Sequence, residues 1–335
     1  MSCHDTISFS QIPPQELRKF ISQTDSARLD KVNSSTVPAD NEVSSREGDF
    51  AQLIPNNDLA KRAFSRLVEM QKLEPDEQYH HMKYIFYTAC EEGAASHPSR
   101  HFEESSADET EESDLEATSP IEPLRWEGYY RLNMEIPPKS RRLGWVIGRG
   151  RYSQDSNVDI LLCPKRSPQY ALGVGGRHFR LRHNLQSGAL LVCTTDRPVI
   201  LNGKEELVRC NRALSTAITA ITVGGLDYVL HFTNISEVLY KKQLASLREV
   251  VASDIVASPW LEMTPRATHF EMEGYTIHGN FARGATCTVA GGVAHVGGDP
   301  VAIKRMIRNK RNFSSIRSEV QLLKRLHHVS HHIQF

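Results

Sequence analysis

Apolar positions along this chain keep two different rhythms, and the changes between them mark out its elements. Between 51 and 94, "NNDLAKRAFSRLVEMQKL" sets Leu59, Ala63, Phe64, Leu67 and Met70 at helical spacing behind Asp58 as an N-cap. "PDEQYHHMKYIFYTAC", opened by Pro75, repeats the stripe with Tyr79, Met82, Ile85, Phe86 and Ala89. The pattern predicts a helical hairpin. From about 125 to 238 the period falls to two: "GRHFRLRH" sets Phe179 and Leu181 against Arg180 and Arg182. "LDYVLHF" likewise sets Leu226, Tyr228, Leu230 and Phe232 against Asp227, Val229 and His231. Short strands broken by Gly, Asn, Pro and Ser turns predict a β-sandwich. Helical spacing returns after 238, with Leu239, Leu244, Leu247, Val250 and Val251 as the expected buried side, and a connector bearing Pro259 and Pro265 completes 239–269. Residues 270–335 read as a strand meander with glycine turns, then a helix carrying Ile316, Val320, Leu322, Leu323 and Leu326.

Two polar stretches punctuate these elements. Residues 1–50, rich in Ser, Thr, Asp, Asn and Gln, offer little to bury, and "FEESSADETEESDLEATS" is acidic throughout. A disordered head over 1–50 and an acidic disordered linker over 95–124 are expected. The head carries Ser10-Gln11 and Ser22-Gln23, dipeptides of the kind that DNA-damage-response kinases favour, but two such dipeptides arise easily by chance and a solvated tail is the simpler reading.

Composition narrows the partners. A chain of 335 residues is long enough for two cores, and Lys plus Arg balances Asp plus Glu at 40 each, so no net field favours nucleic acid or a membrane. Cys3, Cys90, Cys163, Cys193, Cys210 and Cys287 form no C-x-x-C pair, which argues against a zinc site or a disulfide framework and for a reducing interior. There is no signal-peptide core and no run of about 18 apolar residues. A soluble intracellular protein, nuclear or cytoplasmic, is expected. His80 and His81 are adjacent and diverge on a helix, and "HHVSHHIQF" has no cysteine or acidic neighbour, so neither predicts a metal site.

Within 125–238 the order of marks is informative: Gly148-Arg149 after "GWVI", then "VDILL", then His178 opening a strand, then "VILNG" ending in Asn202-Gly203. This order resembles the forkhead-associated (FHA) domain, an eleven-strand sandwich that recognises phosphothreonine through the loops at one end. The resemblance implies that Arg149 contacts phosphopeptide, where a guanidinium fork suits phosphate, and that His178 buttresses the loops. The family's phosphate-binding serine falls at Gly175, and its asparagine falls near Arg197. Recognition would then lean on Arg149 with Arg177, Arg197 and Lys204. A sandwich that only docks proteins remains open beside this, as does the reading of these side chains as solvated charges.

Near the end, "GYTIHGNFARGATCTVAGGVAHVGGDPVAIKRM" followed by "SSIRSEVQLLKRLHH" resembles the start of a protein kinase domain. Counting back from Val289, the glycine places of the family loop G-x-G-x-x-G-x-V hold Ala282, Gly284 and Cys287. The resemblance implies that Ala302 packs on adenine, that Lys304 holds the α- and β-phosphates of ATP, and that Glu319 of the αC helix pairs with Lys304. No H-R-D, D-F-G or A-P-E run occurs in the chain, so it supplies no catalytic residue, and magnesium would join ATP only with the other half of such a domain.

The fold class expected is therefore multidomain α+β: an FHA-like β-sandwich followed by a partial protein-kinase N-lobe, with a helical hairpin and disordered linkers before it. The sandwich followed by a kinase segment resembles the arrangement of the checkpoint Ser/Thr kinases. Two functions stay open: the front of such a kinase, truncated within its N-lobe and not competent for phosphoryl transfer as it stands, or a non-catalytic adaptor with a vestigial N-lobe. Either would bind a phosphorylated or acidic protein partner through the sandwich.

Overall fold

The computed structural model describes residues 48–73, 79–90, 125–153, 156–164, 170, 173–251, 270–272, 274–284, 287–306 and 313–327. The expected linker over 95–124, nearly all of the expected head, the connector over 252–269, Pro75 and the histidine-rich end lie outside them.

Two sheets face each other. The larger joins β1 (Asp49–Pro55), β2 (Ile85–Ala89), β3 (Trp126–Asn133), β8 (Val199–Leu201), β9 (Glu205–Leu207), β11 (Ile218–Val223) and β12 (Leu226–Phe232) in the order β2-β3-β1-β12-β11-β8-β9. The smaller joins β4 (Trp145–Gly148), β5 (Ile160–Leu161), β6 (Phe179–His183), β7 (Leu190–Thr194) and β10 (Asn211–Ala213) in the order β10-β7-β6-β4-β5. Between them lie Phe50, Leu53, Tyr130, Leu132, Trp145, Ile147, Phe179, Leu181, Val192 and Leu230, all at 2% exposure or less. Burial of side chains this size stabilises by roughly 1.5–3 kcal/mol each. The period-two reading holds: Leu226, Tyr228, Leu230 and Phe232 point inward and their neighbours outward.

The hairpin expectation is corrected in three places. The first arm is a helix, α1 (Asp58–Leu73), but its cap is Asn57, whose Oδ1 accepts from the Ala60 N–H at 2.9 Å; Asp58 is the first helical residue. The second arm is one 3-10 turn, His80–Tyr84, running into β2, which pairs with β3 from Ile85 opposite Tyr130 to Ala89 opposite Trp126. Its aromatic and β-branched residues suit a pleated edge strand better than a helix. Residues 49–55, which straddle the expected head and hairpin, form β1, hydrogen-bonded between β3 and β12. Arg131 grips Asp49 with two hydrogen bonds of 2.8 Å and Asn133 adds a third of 3.0 Å, fixing the start of β1.

Helix α2 (Glu237–Val251) begins at Ser236, whose Oγ accepts from the Leu239 N–H at 3.2 Å. Leu244 is buried as expected, but Val250 is exposed, and Tyr240, Gln243 and Arg248 complete the inner face. Beyond it, β13 (Phe270–Met272), β14 (Tyr275–Arg283), β15 (Cys287–Ala294) and β16 (Pro300–Met306) form a four-stranded antiparallel meander, followed by α3 (Phe313–His327). This sheet docks on the sandwich: Val293 packs with Ala189, Leu191, Cys193 and Ala213, and the Ser187 hydroxyl donates to the Gly298 carbonyl at 2.6 Å. Backbone hydrogen bonds from Ala213 to His295 and from Gly297 to Asn211 make the seam continuous. Among the described residues no helix is long and apolar enough to cross a membrane.

Candidate functional site

One end of the sandwich gathers the residues singled out at Arg149, Gly175, His178 and Arg197. Strand β4 stops at Gly148, where a Cβ would lie 2.7 Å from the carbonyl oxygens of both Gly175 and Gly176. Only glycine lets the two loops approach so closely. The Arg149 N–H then donates to the Gly175 carbonyl at 2.8 Å, so the arginine leaves the strand beside that loop. Its Nε is buried without an acceptor among the described residues.

His178 ties this end together. Its Nδ1 accepts from the Gly175 N–H at 2.9 Å, which leaves Nε2 protonated and donating to the Pro198 carbonyl at 2.9 Å. The ring is 1% exposed, and burial, aided by the Arg197 charge, moves its pKa below the usual histidine value. A neutral histidine in one tautomer thus bridges the loop at 175 and the loop at 198. Thr195, which the sequence reading did not single out, adds a third tie by donating from Oγ1 to the His178 carbonyl at 2.8 Å. Nothing in the second of two adjacent threonines at a strand end would have marked it.

Arg197 lies over Gly175: a Cβ there would come within 2.8 Å of its Cδ. Arg177 is exposed on the same loop as Gly175, and Lys204 is exposed beyond the Asn202-Gly203 turn, whose two residues take left-handed φ of 50° and 66°. This end of the sandwich therefore carries arginines beside a histidine that ties two loops, and no hydroxyl at the Gly175 position. A guanidinium group that meets an anion donates charge-assisted hydrogen bonds, each worth about 1.5–3 kcal/mol.

The second constellation lies on β16 and α3. Lys304 Nζ donates to Glu319 Oε1 at 2.5 Å across the 15 residues that separate them in the chain. Hydrogen bonding to that carboxylate moves the lysine pKa upward. Val289 stands opposite Lys304 and Gly291 opposite Ala302 in the β15–β16 register, so Ala302 and Lys304 share a sheet face. Ala302 is exposed and Val289 partly buried. The Gly284 N–H donates to the Cys287 carbonyl at 2.8 Å and closes the β14–β15 turn. A Cβ on Gly284 would meet Cys287 Sγ at 3.3 Å, so the thiol lies beside the place a side chain at 284 would take.

The structure thus brings Lys304 to Glu319 and sets Val289 opposite Lys304, with Ala302 two residues away on the same strand face. Among the described residues no three His, Cys, Asp or Glu side chains converge as a metal site requires.

No protein family matches the chain, and no curated protein does. Among solved structures it is similar to the crystal structure of Rad53 1–466 in complex with AMP-PNP, with 19% identity over 59% of this chain and a TM-score of 0.33. The match spans 46% of that chain.

Proposed function

We propose that this chain is the front part of an FHA-containing Ser/Thr protein kinase, with a sandwich that docks phosphorylated partners and an N-lobe portion that binds ATP. The observation that carries the reading is the Lys304–Glu319 pair: the kinase resemblance implies that these two residues pair, and their side chains meet at 2.5 Å. The neutral His178 bridging two loops beside Arg149 supports the docking half. In this reading Lys304 holds the phosphates, Glu319 keeps Lys304 extended toward them, and Ala302 and Val289 border the base. ATP supplies a transferable phosphoryl group. The chain itself, with no H-R-D or D-F-G run, positions nucleotide without activating an acceptor hydroxyl.

A second reading has its own support. Ala282 and Cys287 occupy glycine places of the family loop, side chains that restrict the backbone there, which favours an adaptor whose lobe has lost its ligand. Titration of the purified chain with ATP by calorimetry, beside a phosphothreonine peptide array, separates the two. Binding of ATP that Lys304→Met abolishes supports the kinase reading; phosphopeptide capture that Arg149→Ala removes, with no nucleotide binding, supports the adaptor. Loss of neither ligand in either variant overturns both.

A further inference from the structure

A cavity of about 650 Å³ opens at the other end of the sandwich, within the range typical of ligand sites. Strand β4 separates it from Arg149: four residues at about 3.3 Å each put the two ends about 13 Å apart. Arg141 and Arg142 enter it from the loop before β4, and Arg182 enters from the end of β6, next to the point where Gly144 crosses Leu181 and Arg182. Among the described residues none of the three has a carboxylate within ion-pair distance. Arg182 keeps its Nε buried without an acceptor. Beneath, Arg248 donates from Nε to the Leu185 carbonyl at 2.6 Å and adds a further positive charge. The one carboxylate in the wall, Asp299, accepts from the Asn184 side-chain amide at 3.1 Å.

The cavity is not uniformly polar. Leu191, Leu247 and Val251 form an apolar flank beside the arginines. Three guanidinium groups from two chain segments exceed what a single carboxylate can accept, whereas a phosphate dianion offers three oxygens to planar donors. We propose that this cavity binds a phosphomonoester, its phosphate against Arg141, Arg142 and Arg182 and its apolar body against Leu247 and Val251. Because Asn184 and Asp299 also line it, the ligand sits where the sandwich meets the four-stranded sheet, and its occupancy braces that seam.

Calorimetry on the full 335-residue chain with phenyl phosphate tests this, with inorganic phosphate and phenol as companion probes. Phenyl phosphate is expected to bind at least ~10-fold tighter than either companion, and Arg141→Ala with Arg142→Ala to weaken it at least ~10-fold. Both positions are exposed, so the double variant should fold, which circular dichroism checks; Arg142→Glu should abolish binding altogether. Arg66→Ala, on the exposed side of α1 and outside the cavity, should leave the affinity unchanged. Absence of binding, an inorganic phosphate affinity equal to that of phenyl phosphate, an unaffected double variant, or a loss caused by Arg66→Ala would each overturn the assignment.

Discussion

Single residues here do work that their neighbours in sequence do not disclose. His81 and His183 are buried with no partner for either ring nitrogen among the described residues, His81 against Tyr79 and Tyr152, His183 among Phe50, Trp145 and Tyr240. Burial lowers His81 to about 4 and His183 to about 3. In the unfolded chain both return to about 6.5, so between that value and the folded ones the unfolded state binds more protons, and stability falls as the pH falls. Each histidine should remove about 2 kcal/mol between neutral pH and pH 5. Urea unfolding at pH 7.5 and pH 5 reads this, with His183→Phe expected to remove about half of the loss; a flat profile would sink the account. At the docking end, Gly148→Ala drives a Cβ against two backbone carbonyls and should cost about 1–3 kcal/mol. Gly175→Ser crowds the flexible end of Arg197 and meets His178 Nδ1 at an ordinary 3.5 Å, so stability should hold while affinity for a phosphothreonine peptide rises about tenfold. A peptide titration that shows no gain, in a variant that melts like wild type, would mean that this loop does not face phosphate.

At the scale of elements, legibility followed burial on one face versus two. β12 and β6 bury one face and alternate cleanly, so the sequence announces them. β1 runs between β3 and β12 with six of its seven residues buried, so the alternation vanishes, while Phe64 of α1 meets the inward Tyr130 ring edge-on at 5.3 Å. β2 was read as a helix because its aromatic residues fall by chance at helical spacing. The Lys304–Glu319 pair was legible since both its residues sit in a recognisable run, whereas the arginine cavity was not, its members being 40 residues apart with no common motif. If β1 is anchored as the Asp49 contacts indicate, Asp49→Ala leaves Arg131, only 12% exposed, without its partner. A loss of about 3–5 kcal/mol is expected in urea unfolding, the scale set by an uncompensated buried charge. A loss below 1 kcal/mol would mean that the sheet holds β1 without that pair.

The whole molecule divides its stability unevenly. The sandwich owns a continuous core, while in the four-stranded sheet Ala290 and Val293 are the buried apolar side chains among the described residues, and Val293 is buried by the sandwich rather than by its own sheet. Among the described residues both outer strands, β13 and β16, pair on one side alone, and Lys304 and Glu319 meet in partial exposure, where an ion pair adds little. Local opening costs what the opened part had buried, so the sheet should open without the sandwich. Hydrogen exchange on the full chain should show β14, β15 and β16 amides exchanging well before those of β1 and β12. The seam gives this a second test. Asn184 donates to the Gly297 carbonyl at 3.0 Å and to Asp299, and it accepts from the Gln186 and Ser187 N–H groups; Ser187 in turn holds Gly298. Asn184→Ala should therefore speed exchange across 294–300 while leaving β1 and β12 as slow as before. Equal protection of both sheets in the parent chain would show that they unfold as one, and the weak seam would have to be abandoned. If the variant quickens β1 and β12 to the same degree, Asn184 supports the sandwich itself and the seam lies elsewhere.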